Sequence, residues 1–276
     1  MWLGVFVVAS CGSDNATTVQ CCCCWHCRLG CGGWCLTICC MKLLLFDVDG
    51  TLLLTGGAGV RAMERAGVLV CGQRFSLDSV VVAGGMDPYI FAEAAARAGI
   101  ENVDELHETF YATYLRELPM ELEAGRAGIE VMPGIMPLLE TLRCRDDVSL
   151  GLLTGNYRQA TPIKLRAAGF DPAWFAVGVF GDDASNRPAL ARLAMQQFEV
   201  MYSQSITGED TIVIGDTPRD VACAQANACR SLAVATGRYS VLQLQDAGAD
   251  VVVENLLDPQ PLWDMLDGQS SGSHLF

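Results

Sequence analysis

The chain is short of positive charge. Its 276 residues hold 18 Lys and Arg against 32 Asp and Glu, a formal net charge of −14. A general nucleic-acid binder needs a basic face, so this balance argues against that class. Long apolar runs are missing too. None reaches the roughly 18 apolar residues of a membrane span, and no membrane partner is expected. Beyond residue 40 cysteine is scarce: Cys71, Cys144, Cys223 and Cys229 are scattered through helix-like or strand-like surroundings. That usage fits reduced thiols in a cytoplasmic protein. The glycine-rich Gly56-Gly57-Ala58-Gly59 lacks the GxGxxG order of a dinucleotide fingerprint. There is no internal repeat and no long low-complexity linker.

What the body lacks in cysteine, residues 1–40 have in excess, with ten of the fourteen. This stretch also carries only Asp14 and Arg28 as charged residues, so the whole −14 lies beyond it. Cys21–Cys24 and Cys24–Cys27 have zinc-like spacing beside His26, but four consecutive cysteines define no ligand geometry. Val8-Ala9-Ser10-Cys11-Gly12 resembles a lipoprotein cleavage site, without a preceding Lys or Arg. The reading adopted is a cysteine-rich extension outside the globular domain, disordered or a non-native start, with the native chain beginning at Met41.

The informative stretch is Leu43-Leu44-Leu45-Phe46-Asp47-Val48-Asp49-Gly50-Thr51-Leu52. Its apolar run reads as a buried strand of a parallel sheet, and such strands present their chemistry at the carboxyl end. Asp47 and Asp49 sit at that exit. Residues two apart in extended chain point the same way, so both carboxylates can face one site. Two such charges are unfavourable alone, and Mg²⁺ is the usual remedy. Gly50 lets the backbone turn close to a ligand.

From about Val60 to Met132 the spacing predicts helices over 60–70, 88–98 and 103–118, with Asp87 as an N-cap. Pro133-Gly134 marks a return to the core. Strands and helices then alternate: strands over 148–153, 176–180, 211–214, 231–235 and 251–253, and helices over 157–168, 188–202 and 218–228. This pattern implies an α/β fold, a doubly wound parallel sheet covered on both faces. Further strand exits carry polar groups, namely Thr154-Gly155-Asn156 and Gly215-Asp216-Thr217-Pro218-Arg219-Asp220.

Phe-Asp-x-Asp-Gly-Thr-Leu, Thr154 and Gly-Asp-Thr-x-x-Asp together resemble the motifs of the haloacid dehalogenase (HAD) superfamily, nearest its phosphoglycolate phosphatase-like branch. The resemblance covers residues 41 to about 266. It implies a Rossmann-like core over 41–59 and 133–267, a helical cap over 60–132, and a tail over 268–276. It also implies a Mg²⁺-dependent phosphatase acting on a small phosphorylated metabolite, a phosphoglycolate-like monoester. By that resemblance Asp47 is the nucleophile and Asp49 the acid/base. Mg²⁺ is held by Asp47, Asp49 through its carbonyl, and Asp216, with Asp220 in support. Gly50, Thr154, Gly155 and a basic residue bind the phosphoryl group. That base is Arg187, which opens a helix with Pro188, or alternatively Lys164. Asp87, in the cap, is assigned to substrate choice. Two alternatives stay open: a phosphosugar mutase on the same core, and a non-catalytic phosphate-binding or signalling domain. A chain shortened to begin at Met41 is expected to fold and keep its activity. Circular dichroism and phosphate release check this, and loss of folding would give residues 1–40 a structural role.

Overall fold

The computed structural model describes residues 41–268. The cysteine-rich stretch 1–40, with the expectation of an extension placed on it, lies outside the described residues, as do residues 269–276. Among the described residues no helix is long and apolar enough to cross a membrane.

Six strands form one parallel sheet: β1 (Lys42–Phe46), β4 (Val148–Leu153), β5 (Val177–Val179), β6 (Thr211–Gly215), β7 (Arg230–Val234) and β8 (Val251–Val253). Their order is β5-β4-β1-β6-β7-β8, so β1 lies between β4 and β6 near the centre. Central parallel strands are covered on both faces, which is why β1 is an unbroken apolar run. Its alternate residues serve opposite faces. Leu44 and Phe46 join Leu150, Leu152, Ile212 and Ile214 in one core. Leu43 and Leu45 join Leu153, Val177 and Val213 in another. The first core is closed by α4 (Ile135–Leu142) and α9 (Gln260–Leu266), with Leu165 from α5 (Ala160–Ala167). The second is closed by α6 (Arg187–Tyr202) and α7 (Pro218–Gln225) through residues such as Leu190, Phe198 and Cys223. A last helix, α8 (Val241–Asp246), packs Leu244 on Val221 and Ala233.

Phe46 is level with Leu152 of β4 and Ile214 of β6. The residues that follow these strands, Asp47, Thr154 and Asp216, therefore emerge side by side at the carboxyl edge, where open α/β sheets bind ligands.

A helical block is inserted between β1 and β4. The chain leaves through β2 (Leu53–Leu54) and returns through β3 (Glu130–Val131), and these two short strands pair antiparallel. Between them run α1 (Ala58–Cys71), α2 (Asp87–Arg97) and α3 (Val103–Ala124). They share a core built on Ala62, Met63, Phe91, Phe110 and Tyr114, which continues onto Tyr157 and Ala160. Phe91 and Phe110 stack with ring centroids 3.9 Å apart.

Two sequence expectations need correction. The helix expected to stop at Leu118 runs through Pro119 to Ala124. Leu118 and Leu122 are both buried in the shared core, and Glu117 and Glu121 pair with Arg65 and Arg61 of α1. These contacts outweigh the one backbone bond that proline removes. Asp87 is not the N-cap of α2. Met86 holds that position with no side-chain cap, and Asp87 is the first helical residue. The pairing of β2 with β3 had no sequence signal, because two-residue strands are too short to show alternation.

Leu45 has no exposed surface. Leu45→Ala is expected to cost roughly 2–5 kcal/mol of stability, from lost burial plus a cavity that the sheet cannot close. Urea denaturation measures this, and a loss well below 1 kcal/mol would contradict the packing described.

Candidate active site

The carboxyl edge of the sheet and the helical block enclose a cavity of about 380 Å³. On its core side three buried carboxylates gather: Asp47, Asp216 and Asp220 have oxygens all within 4.8 Å of one another. Asp220 is fixed by a capping box at the start of α7. One of its oxygens accepts from the Thr217 amide at 3.1 Å and the Thr217 hydroxyl at 2.6 Å. Its other oxygen takes a hydrogen bond from Arg187 Nη2, which also lies 3.1 Å from Asp47 Oδ1. Arg187 is itself placed by Asn186, whose side chain caps α6 by accepting from the Ala189 amide at 2.9 Å.

Burial shifts these charges. Desolvation pushes Asp47 up to about 6; Arg187 opposes that shift, and Asp220 adds to it. Asp216 is pushed to about 8, chiefly by burial and then by Asp47 and Asp220. Burial works against the charge of Arg187, but Asp220 and Asp47 outweigh it and hold the guanidinium above its usual value. The buried Nε–H of Arg187 has no acceptor among the described residues. Gly50 is required beside this cluster. Its φ is +87°, and a Cβ there would come within 2.5 Å of the Asp216 carboxylate.

Asp49 faces the other way. Its carboxylate takes Lys164 Nζ at 2.8 and 3.0 Å and Asn156 Nδ2 at 2.6 Å. Lys164 Nζ also donates to Asn156 Oδ1 at 2.6 Å, and Asn156 Nδ2 donates to Thr154 Oγ1 at 2.8 Å. Burial pulls the Lys164 ammonium down, but Asp49 and Asp87 together raise it further. Asp87 is buried and accepts from the Tyr157 amide at 2.9 Å. Its own amide donates to the Gly155 carbonyl at 2.7 Å, which ties the insert to the core strand exit. Burial lifts Asp87 to about 7 against the pull of Lys164.

The structure thus brings Asp47, Asp49, Gly50, Asp87, Thr154, Gly155, Lys164, Arg187 and Asp216 to one cavity, with Asp220 directly behind. Arg187 and Lys164, alternatives in the sequence, are both present, each on a different carboxylate. One expectation fails. The Gly50 amide, assigned to the phosphoryl group, donates to the Leu53 carbonyl at 2.9 Å and is not free. The left-handed turn at Gly50 closes that bond. Sequence reasoning missed Asn156, although its place two residues past Thr154 at the same strand exit was a usable signal. It also missed Tyr114, which lay among ordinary helical apolar spacing.

The donor set fits Mg²⁺. Three hard carboxylates gather within 4.8 Å of one another, and the single guanidinium of Arg187 cannot offset all their charge.

Residues 41–227 match the family model described as haloacid dehalogenase-like hydrolase. The chain belongs to that family and is a hydrolase of the HAD-like type. It is 28% identical over 240 residues to a phosphoglycolate phosphatase of Rhodospirillum rubrum, covering 82% of this chain and 95% of that one. Among solved structures it is similar to a hydrolase from Pseudomonas syringae, with 23% identity and a TM-score of 0.60 over 81% of this chain and 98% of the other. It also resembles a predicted phosphoglycolate phosphatase from Haemophilus somnus, with 18% identity and a TM-score of 0.56 over 81% and 98% of the two chains. At these identities the two structures speak to the fold: a parallel α/β sheet with an inserted helical cap.

A carboxylate whose folded pKa is raised destabilises the fold as pH climbs from its unfolded value, about 4, through the folded one. With divalent cations chelated, stability is therefore expected to fall between about pH 4 and pH 8. Adding Mg²⁺ should raise the melting temperature more at pH 8 than at pH 5. Thermal melts with EDTA or Mg²⁺ test this, and an equal rise at both pH values would count against metal binding by these carboxylates.

Proposed function

We propose that the chain is a Mg²⁺-dependent phosphatase that hydrolyses a small phosphorylated metabolite through an aspartyl-phosphate. The observation that carries this reading is the divergence of Asp47 and Asp49. One carboxylate lies in the acidic cluster against Arg187, and the other lies across the cavity on Lys164 and Asn156. That is the separation an in-line displacement needs, with the nucleophile on one side of phosphorus and a proton donor on the leaving-group side.

Asp47 attacks phosphorus, a new P–O bond forms, and the bond to the leaving oxygen breaks. The electron pair goes to that oxygen, which takes a proton from Asp49. Asp49 then accepts a proton from water as the water attacks the aspartyl-phosphate, releasing phosphate and restoring Asp47. Lys164 and Asn156 fix the Asp49 side chain for both steps. Arg187 and Thr154 bind phosphoryl oxygens. A bound anion would supply the acceptor that Arg187 Nε lacks, and the Thr154 hydroxyl, which already accepts from Asn156, keeps its hydrogen to donate. Gly155 places its backbone at the same strand exit. Mg²⁺ held by Asp47, the Asp49 carbonyl and Asp216, with Asp220 in support, would offset the charge of the phosphoryl group and the carboxylates. The helical block over 60–132 acts as a cap on the core over 41–59 and 133–267; it excludes water and selects the leaving group. The phosphoglycolate-like ester implied by the sequence resemblance is one candidate, and the name of the Rhodospirillum rubrum relative supports testing it.

Asp47→Asn is expected to abolish turnover and covalent labelling by phosphate, with the fold intact. Asp49→Asn should slow an alkyl phosphate by roughly 10²–10⁴. In single turnover it should slow an activated aryl phosphate less, because that leaving group departs without a proton. Equal losses on the two esters would remove Asp49 from the acid role. Phosphate on a residue other than Asp47 would overturn the nucleophile.

A further inference from the structure

The leaving-group side of the cavity has a wall that the mechanism does not use. Tyr114 is 1% exposed, yet its hydroxyl has no hydrogen-bond partner among the described residues, and the residue lines the cavity. Asp87 is 7% exposed and also lines the cavity. One of its carboxylate oxygens accepts from the Tyr157 amide, and the other has no partner among the described residues. Both atoms are open to the cavity and have no partner in the fold, so two polar groups on one wall are left for a ligand.

Gly59 locates this wall. A Cβ at Gly59 would lie 3.1 Å from Lys164 Nζ and 3.8 Å from the Tyr114 hydroxyl, so the missing side chain keeps the space beside both open. Asp87 feels the charge of Lys164, but no ion pair joins them within 4.0 Å. The gap between them lies beside Asp49, where the leaving oxygen must be.

The chemistry of the wall disfavours an anion. The three hydrogens of the Lys164 ammonium already face Asp49 Oδ1, Asp49 Oδ2 and Asn156 Oδ1. Two carboxylates, Asp49 and Asp87, face one ammonium on this side. Arg238, also lining the cavity, follows Gly237, where a Cβ would abut the Asp216 carboxylate, so its backbone lies on the core side. A carboxylate in the leaving group would sit against Asp87, beside an ammonium whose hydrogens are already taken. A hydroxyl both donates and accepts, and it satisfies Asp87 and Tyr114 alike. A cavity of about 380 Å³ also exceeds what a two-carbon acid fills.

We propose that the leaving group is a polyhydroxylated alcohol, a sugar or polyol, whose hydroxyls are held by Asp87 and Tyr114, and not a short carboxylic acid. This rests on the phosphatase reading of the same site. The full chain with Mg²⁺ is assayed on a panel of pentose, hexose and polyol monophosphates, on 2-phosphoglycolate, and on p-nitrophenyl phosphate. At least one sugar or polyol ester is expected to exceed 2-phosphoglycolate in kcat/KM by tenfold or more. Tyr114→Phe and Asp87→Asn, both near-isosteric, should each cost that ester about tenfold more than they cost p-nitrophenyl phosphate, mainly through KM. Hydrolysis of p-nitrophenyl phosphate together with a preference for 2-phosphoglycolate overturns the leaving-group assignment alone. Equal losses on both esters in the two variants do the same. Failure to hydrolyse any ester overturns the phosphatase reading and this inference with it.

Discussion

Arg187 holds two buried carboxylates in a place where they would otherwise repel each other. Its guanidinium bridges Asp47, at the end of β1, and Asp220, in the first turn of α7. Removing a buried cation from such a pair typically costs about 3–5 kcal/mol, because the remaining charges are left uncompensated. Much of the site's geometry depends on this bridge. Asp220 is the residue that caps α7 through Thr217, and that cap follows directly on Asp216. Arg187 is in turn aimed by the Asn186 cap of α6. The sheet aligns the strand ends, and the bridge holds Asp47 and Asp220 in place beside Asp216.

The same cavity divides its charge into two compartments. On the core side, three carboxylates share one guanidinium. On the cap side, Asp49 and Asp87 share one ammonium, with Asn156 stitching Lys164, Asp49 and Thr154 together. Each compartment holds more negative than positive charge. On the core side a bound divalent cation would offset that excess. On the cap side a neutral, hydroxyl-rich partner fits without adding charge.

The sheet and the two acidic motifs were legible because they are local. An unbroken apolar run that ends in Asp-x-Asp-Gly, and a second that ends in Gly-Asp, place carboxylates at strand exits without any knowledge of the partners. The alternation after Pro133 gave the remaining strands to within a residue or two. Lys164 was harder. On a short helix its expected place is solvent, yet its side chain is only 5% exposed, because Asp49 and Asn156 are brought to it from elsewhere in the chain. The bond of Asp87 with the Tyr157 amide and its interaction with Lys164 lie seventy or more positions on, so the sequence read it as an N-cap and linked it to substrate choice without seeing these partners. The continuation of α3 past Pro119 was hidden for the same reason, since the contacts that sustain it lie on α1. The turn that commits the Gly50 amide to Leu53 is local but needs φ and ψ, which composition does not reveal.

The pairing of Leu53 with Val131 has a consequence for how this chain can vary. The insert leaves and re-enters the core through neighbouring, hydrogen-bonded strands. Closing the ends of a long excursion costs little more than closing a short one, since the entropy grows only as the logarithm of length. A block attached in this way can lengthen, shorten or be exchanged whole while the central strands keep their register. The insert and the sheet are therefore separable parts of one chain, joined at a doorway two residues wide.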